Sequence, residues 1–194
     1  MRRLVLGLSA ALAIAPLARP WGAEGHAAIG LVAEQNLSPE ARRHVEQILG
    51  NADLAAIASW MDELRAASGG FGPLAGNVVA RQFAKRFPHS DRWHYDDLPL
   101  GEAEYRDDDP FARKDDVVHE LNRSIDVLEG RETDISPRIA LYMLVHFVGD
   151  LHQPLHVACG FYDVSDPAHP RLLTDPAECA GHPDDKGGNV LRFG

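Results

Sequence analysis

His146-Phe147-Val148-Gly149-Asp150-Leu151-His152-Gln153-Pro154-Leu155-His156 follows directly on an apolar run from Ile139 to Val145. An apolar run of this length predicts a helix, and on that helix His146 and Asp150 share one face, one turn apart. An imidazole and a carboxylate at this spacing can close on one cation such as Zn²⁺. Pro154 stops the helix from continuing regularly, because it lacks an N–H and clashes with the preceding turn. The break bears on His156. On an unbroken helix it points away from His146 and Asp150, whereas a bend returns it to the same cavity. The competing reading is a set of hydrogen-bonded core histidines. Three potential ligands in eleven residues weaken that reading, since buried imidazoles and carboxylates need compensation that a metal supplies. The stretch alone leaves both open.

Working outward, Ser136-Pro137 starts the central helix with a cap and a proline in its first turn. Asp109-Pro110 starts the helix before it, which Gly130 closes. Upstream, a helical segment runs from the Trp21 region to about Asn36, and Ser38-Pro39 opens another that Gly50 stops. Asp53 caps a further helix, expected to carry Ser59-Trp60-Met61-Asp62-Glu63-Leu64-Arg65 without interruption. Residues 69–76 are a glycine-rich loop, and a weaker helix from about Asn77 to Phe87 leads into Trp93-His94-Tyr95-Asp96-Asp97-Leu98-Pro99, which is extended or irregular. From Ala158 to Asp185 the chain reads as loop. There is no period-two run of β-branched residues, so the expected fold class is all-α, one multi-helix domain.

The first twenty residues stand apart. Met1-Arg2-Arg3 precedes an apolar run from Leu4 to Leu17, the pattern of a secretory signal too short for a permanent membrane anchor. The expectation is a leader over residues 1–20, a mature domain over 21–194, and a periplasmic or secreted monomer. The whole chain carries a formal charge of −10. Removing residues 1–20 takes away Arg2, Arg3 and Arg19 and no acid, which makes the balance more negative still. Binding nucleic acid through a basic surface is therefore excluded, and a polyanionic substrate must be met by local cations such as metals. Cys159 and Cys179 are the only cysteines. In an exported protein they are expected to form one disulfide, a zinc–thiolate site being the weaker alternative.

Five pieces occur in order: Trp21-Gly22-x-x-Gly25-His26, Ser59-Trp60-x-Asp62, Trp93-His94-Tyr95, the central stretch, and Gly187-Gly188-Asn189. Together they resemble the zinc-dependent single-strand nucleases of the S1/P1 nuclease family, over essentially all of residues 21–194. The resemblance implies a mostly helical fold of the phospholipase C/P1 nuclease type holding three zinc ions. One zinc is expected on Asp62, His94, His146 and Asp150. A second is expected on the α-amino nitrogen and carbonyl oxygen of Trp21, with His26 and a bridging Asp150. The third takes His156 plus a His and an Asp from an Asn-Leu-His-x-x-Trp-Asp pattern that these 194 residues lack, so two zincs are better supported than three and the chain reads as C-terminally incomplete. Asp62, Arg65 and Asp150 are the expected catalytic residues, with Arg65 steadying the phosphoryl transition state. Tyr95 stacks a base, Asp97 binds its edge and Asn189 lies beside the scissile phosphate.

A terminal amine with a reference pKa of about 7.7–8 loses its proton cheaply near neutrality, which makes Trp21 a competent ligand once the leader is cut. Paired divalent ions lower the pKa of a water for in-line attack on phosphorus, and the resemblance implies 5′-phosphate products from single-stranded DNA or RNA and hydrolysis of 3′-nucleotides. The rival functions are a zinc phospholipase C of the related superfamily and an inactive zinc-binding protein. His44, His89, His119, His152, His169 and His182 match no ligand position; of these His152, four residues before His156, is the one that can compete for metal.

Overall fold

The computed structural model describes residues 22–191. The expected leader, the Trp21 terminus and residues 192–194 lie outside them. In chain order the helices are α1 (Ala23–Asn36), α2 (Pro39–Leu49), α3 (Leu54–Ile57), α4 (Trp60–Ser68), α5 (Val78–Arg86), α6 (Val117–Leu128), α7 (Pro137–Leu151) and α8 (Pro176–Cys179). Single 3-10 turns sit at Ser90–Arg92 and Pro154–His156. The fold is mostly helical, in keeping with the all-α reading. The exception is a short antiparallel pair, β1 (Phe161–Asp163) and β2 (Arg171–Leu173), inside the segment expected to be loop. Three-residue strands are too short to show a period-two pattern. The pair exists because Phe161 and Leu173 face each other and bury against Cys159 and Cys179.

Helix α7 is the axis of the molecule, and the other long helices pack around it. Ser136 caps it, accepting from the Ile139 N–H, with Pro137 in the first turn. One side of α7 buries Ala140, Met143 and Phe147 against Trp60, Phe83 and Trp93. Another buries Leu141 and Val145 against Leu49, Leu54 and Ile57. Each such apolar side chain contributes about 1.5–3 kcal/mol when fully buried. Between these two faces the helix carries His146, Gly149 and Asp150, so the polar cluster is walled by apolar cores on both sides. The α1–α3 crossing is close because Gly30 lies against the Leu54–Ala55 backbone; a Cβ there meets it at 2.7 Å.

Two helix boundaries differ from the sequence reading. The helix expected to run from Asp53 through Arg65 is broken at Ala58-Ser59 into α3 and α4. The break releases the Ala58 carbonyl from helical bonding and lets it accept a hydrogen bond from His146 Nδ1 at 2.7 Å. The helix expected from Asp109-Pro110 begins only at Val117. Asp116 is the stronger cap: fully buried, it accepts from the Val118 and His119 N–H groups and from the Tyr105 hydroxyl. Asp109 instead caps a turn through the Phe111 N–H.

The cysteines also depart from expectation. Cys159 and Cys179 are both free thiols, buried in the same small cluster. The Cys159 thiol donates to Asp96 O at 3.1 Å and accepts from Gly187 N–H at 3.1 Å. Cys179 donates to Asp175 O within α8's own first turn, at 3.5 Å. Each sulfur is held by backbone groups of its own surroundings rather than by the other. A thiol reagent is therefore expected to label neither cysteine in the native protein and both after unfolding. Native resistance with no labelling on unfolding without reductant indicates a bond between them.

Candidate metal centre

Burial of α7 brings two of the predicted ligands together, and three other segments supply the rest. Asp150 is the hub. Its Oδ2 lies 3.2 Å from His146 Nε2 and 3.1 Å from His94 Nδ1, and its Oδ1 lies 3.4 Å from His26 Nε2. Asp62 closes the ring, with Oδ2 at 3.8 Å from His26 Nε2. Potential ligand atoms of His26, His146 and Asp150 fall within one sphere of contacts, as do those of Asp62, His94 and His146. The two groups share His146 and meet at Asp150, so five predicted ligands from α1, α4, the 93–97 segment and α7 form one buried cluster.

Each side chain is aimed by a local device. His146 spends its Nδ1 proton on Ala58 O, which leaves Nε2 as a lone pair facing the cluster. His26 stacks on His146 with ring centroids 3.9 Å apart, and it fits only because residue 149 is glycine. A Cβ at Gly149 sits 2.6 Å from His26 Nδ1. His94 is carried on an irregular stretch that Arg113 pins from outside: its guanidinium donates to Arg92 O and Tyr95 O, pairs with Asp97 and lies 4.8 Å over the Tyr95 ring. Asp62 lies in the first turn of α4, and Arg65, one turn on, donates to its Oδ1 at 3.1 Å.

The electrostatics fit a cation. Burial, with His146 beside it, pushes His26 down to about 4, so its ring is neutral and a competent ligand near pH 7. Burial alone raises Asp150, but His146 and His94 outweigh it and hold the carboxyl well below the ordinary range. The hydrogen bonds do not close. His94 Nδ1 faces both Asp150 and His146 Nε2, the latter at 2.9 Å, and one proton cannot serve both well. The buried His26 Nδ1 and His94 Nε2 have no hydrogen-bond partner among the described residues. Three imidazoles and two carboxylates with unsatisfied nitrogens are a donor set that zinc or a similar divalent cation completes.

The remaining predicted residues sit differently. His156 returns to the same side after the Pro154 break, but its Nδ1 donates to Gly187 O at 2.8 Å and it joins neither of the two groups of three. The sequence reading offered the Gly187-Gly188 pair as a place where backbone approaches a ligand. Instead the pair approaches the protein itself: both residues have positive φ, and Cβ atoms there meet Tyr95 and Leu155 at 2.5 and 2.8 Å. Tyr95, expected as an open stacking platform, is only 6% exposed and lies beneath Arg113. Asp97, expected at a base edge, is ion-paired to Arg113. Asn189 donates to Lys186 O at 2.7 Å within its own turn. His152 hydrogen-bonds Val148 O on the exposed end of α7. Sequence reasoning missed Ala58, Gly149 and Arg113, because each acts through packing between segments distant in the chain.

Gly149→Ala is expected to destabilise the protein by about 1–3 kcal/mol, as overpacked cores do, and to weaken zinc binding together with it. A thermal melt and a zinc titration measure the two. A destabilised variant with unaltered zinc affinity removes His26 from the site.

A model of the S1/P1 nuclease family matches residues 21–193. The chain belongs to that family. It is 31% identical over 139 residues to Nuclease P1 of Penicillium citrinum, covering 70% of this chain and 47% of that protein. It is 27% identical over 161 residues to Endonuclease 4 of Arabidopsis thaliana, covering 71% and 45%. It is 25% identical over 159 residues to Nuclease S1 of Aspergillus oryzae, covering 80% and 50%. The chain thus spans about half the length of the curated relatives it matches.

Proposed function

We propose that this protein is an exported, monomeric zinc-dependent nuclease that hydrolyses phosphodiester bonds of single-stranded DNA and RNA to 5′-phosphate products, and also 3′-nucleotides. The observation that carries the reading is the buried cluster of His26, Asp62, His94, His146 and Asp150 with Arg65, paired to Asp62, at its edge. Family membership and relatives named as nucleases support it. Among the described residues no helix is long and apolar enough to cross a membrane.

The residues divide the work. His26, His94, His146, Asp62 and Asp150 would hold the zinc, with Asp150 reaching three imidazoles at once, and in a processed chain the Trp21 amine would add a further nitrogen. When bound, zinc supplies Lewis acidity toward water and phosphate oxygens. Asp62 and Arg65 form the open edge of the cluster, with side chains 27% and 47% exposed. The phosphate arrives there. The Arg65 guanidinium receives its non-bridging oxygens through paired N–H donors, and Asp62 keeps Arg65 oriented. The remaining ligands are shut away from solvent, which strengthens every charge interaction inside.

The test compares hydrolysis of a single-stranded oligonucleotide, its duplex and phosphatidylcholine, with zinc and after chelation. Zinc-dependent cleavage of the single strand is expected, the duplex being cut far more slowly and the lipid not at all. Lipid hydrolysis in its place establishes a phospholipase. Zinc uptake with no hydrolysis of any substrate leaves a zinc-binding protein and overturns the nuclease reading.

A further inference from the structure

The residues from Arg65 to Ser90 include no Asp or Glu, although the whole chain carries a formal charge of −10. They form the last turn of α4, the loop after it, α5 and the start of the 3-10 turn that leads to His94. The overall charge excludes a surface that is basic throughout, but it averages over an uneven distribution. This stretch keeps Arg65, Arg81, Lys85 and Arg86 with no acid among them, and Asp91 just beyond it is the exposed counter-charge at its end.

Most arginines of this protein are engaged elsewhere: Arg106, Arg113, Arg123, Arg131 and Arg171 are all ion-paired. The exposed Arg81 and Lys85 side chains make neither hydrogen bond nor ion pair among the described residues. They are four apart on α5 and share one face. Ala80 and Phe83 hold the opposite face of that helix in the core. Ala84, beside them, lines a cavity of ≈280 Å³ whose α4 wall is Arg65 and Ser68. The unpaired cations therefore line up with the arginine at the edge of the metal cluster. Arg86 turns another way, over the Phe87 ring at 5.1 Å and into a hollow that it shares with Asp134.

The loop between α4 and α5 adds an aromatic ring. Phe71 is 75% exposed, yet it is fixed: its N–H donates to Ala66 O at 3.1 Å, and its ring lies 3.4 Å from where a Cβ at Gly69 would stand. Gly69 follows Arg65 by four residues, so the ring sits at the end of the ridge that Arg65 begins. Cations along one ridge and a presented aromatic face suit an unpaired strand, whose phosphates need charge and whose bases have open faces to stack. A duplex offers no such face.

Resting on the nuclease reading, we infer that the α4–α5 ridge is a track for single-stranded nucleic acid remote from the scissile phosphate, with Arg81 and Lys85 on the strand's phosphates and Phe71 stacked on one of its bases. The metal cluster acts on one phosphate, and the ridge holds the strand that continues from it. Recognition along the ridge is of backbone charge and base faces, so it carries no sequence preference.

The experiment uses the whole zinc-loaded chain and a labelled, cleavage-resistant phosphorothioate DNA strand of roughly 12 nucleotides, within the site sizes of single-strand binders. Fluorescence anisotropy gives its affinity from about 50 to 200 mM salt. On single strands each neutralised phosphate adds about 0.7 to the slope of log affinity against log salt. Arg81→Gln with Lys85→Gln is therefore expected to flatten that slope by about 1.4. Arg43→Gln with Arg171→Gln removes the same charge from α2 and β2 and is expected to leave the slope as it was. Phe71→Ala is expected to weaken binding at least about fivefold at every salt concentration, the low end for one stacked base, without changing the slope. An unaltered slope in the α5 pair, an equal flattening in the control pair, or native affinity in Phe71→Ala overturns the inference. Cleavage of an ordinary single strand is scored separately: its absence refutes the nuclease reading, while the slopes and the Phe71 affinity decide the track alone.

Discussion

Asp150→Asn is expected to cut zinc affinity at the cluster at least 100-fold and to lower zinc content per chain. The carboxylate lies within 3.5 Å of imidazole nitrogens from three different segments. Its amide analogue keeps the shape but loses the charge and one acceptor, and turns an N–H toward at least one ring. Even changes outside the ligand shell typically cost about 10–100-fold in metal affinity, so loss of a shared ligand must cost more. Elemental analysis and a competitive zinc titration read the two quantities. A native stoichiometry with native affinity removes Asp150 from the site. The apo variant carries a second, informative signature. Burial disfavours imidazolium at His146 and Asp150 is the main group that outweighs it, so without the carboxylate only Asp62 and the Ala58 carbonyl oppose burial and the His146 pKa is expected to fall.

The largest loss of stability is expected from Arg123→Ala, which touches no ligand. Arg123 on α6 pairs with Glu120 and Asp134 and lies over the rings of Phe87 and Trp93 at 4.8 and 5.5 Å. Glu120 is 5% exposed and has no other cation among the described residues. Breaking a buried pair from one side costs about 3–5 kcal/mol, and the 21% exposure of Arg123 argues for the low end, about 3. For a chain of this size that is a fall of roughly 6–12 °C in Tm.

The pH dependence of that loss has a definite sign. Burial holds Glu120 above its ordinary value in spite of Arg123, so the folded protein keeps that proton to higher pH than the unfolded chain. Removing Arg123 raises it further, and the variant regains stability as pH falls toward the folded pKa. Burial raises Asp134, but Arg123 outweighs it and leaves the carboxyl below the ordinary range. That contribution is present above the unfolded pKa and lost at lower pH, in the native protein only. Glu120 therefore makes the cost of Arg123→Ala larger at pH 8 than at pH 5, while the Asp134 contribution is the same at both values and falls away only at lower pH. Urea midpoints at the two values test it, and an equal or inverted loss shows that the ion pairs are not what Arg123 contributes.

Much of the site was legible in the chain itself. The i, i+4 spacing of His146 and Asp150 survives into the structure because a helix fixes that geometry locally. Ser136-Pro137, Ser38-Pro39 and Asn77 start helices where read, since capping is a matter of adjacent residues. Asp109-Pro110 carries the same local signal and fails, because Asp116 captures more backbone donors once Tyr105 and the core are in place. His26, Asp62 and His94 could be proposed as partners of α7 only through the family pattern. Nothing in their own neighbourhoods reports which other segments they meet.

The chain by itself therefore determined the helical class, the His146–Asp150 pair on one face of α7 and the acidic balance that demands a local cation for any phosphate substrate. Tertiary structure alone decided the break at Ala58-Ser59, which exists to present a carbonyl to His146 from 88 residues away. It decided too that Gly149 is the floor under His26, that Arg113 covers Tyr95 and claims Asp97, and that two cysteines 20 residues apart remain thiols. The division has one physical cause. Periodicity and capping are set by bonds within a turn or two, whereas the aim of a buried side chain is set by whatever surface another segment brings against it.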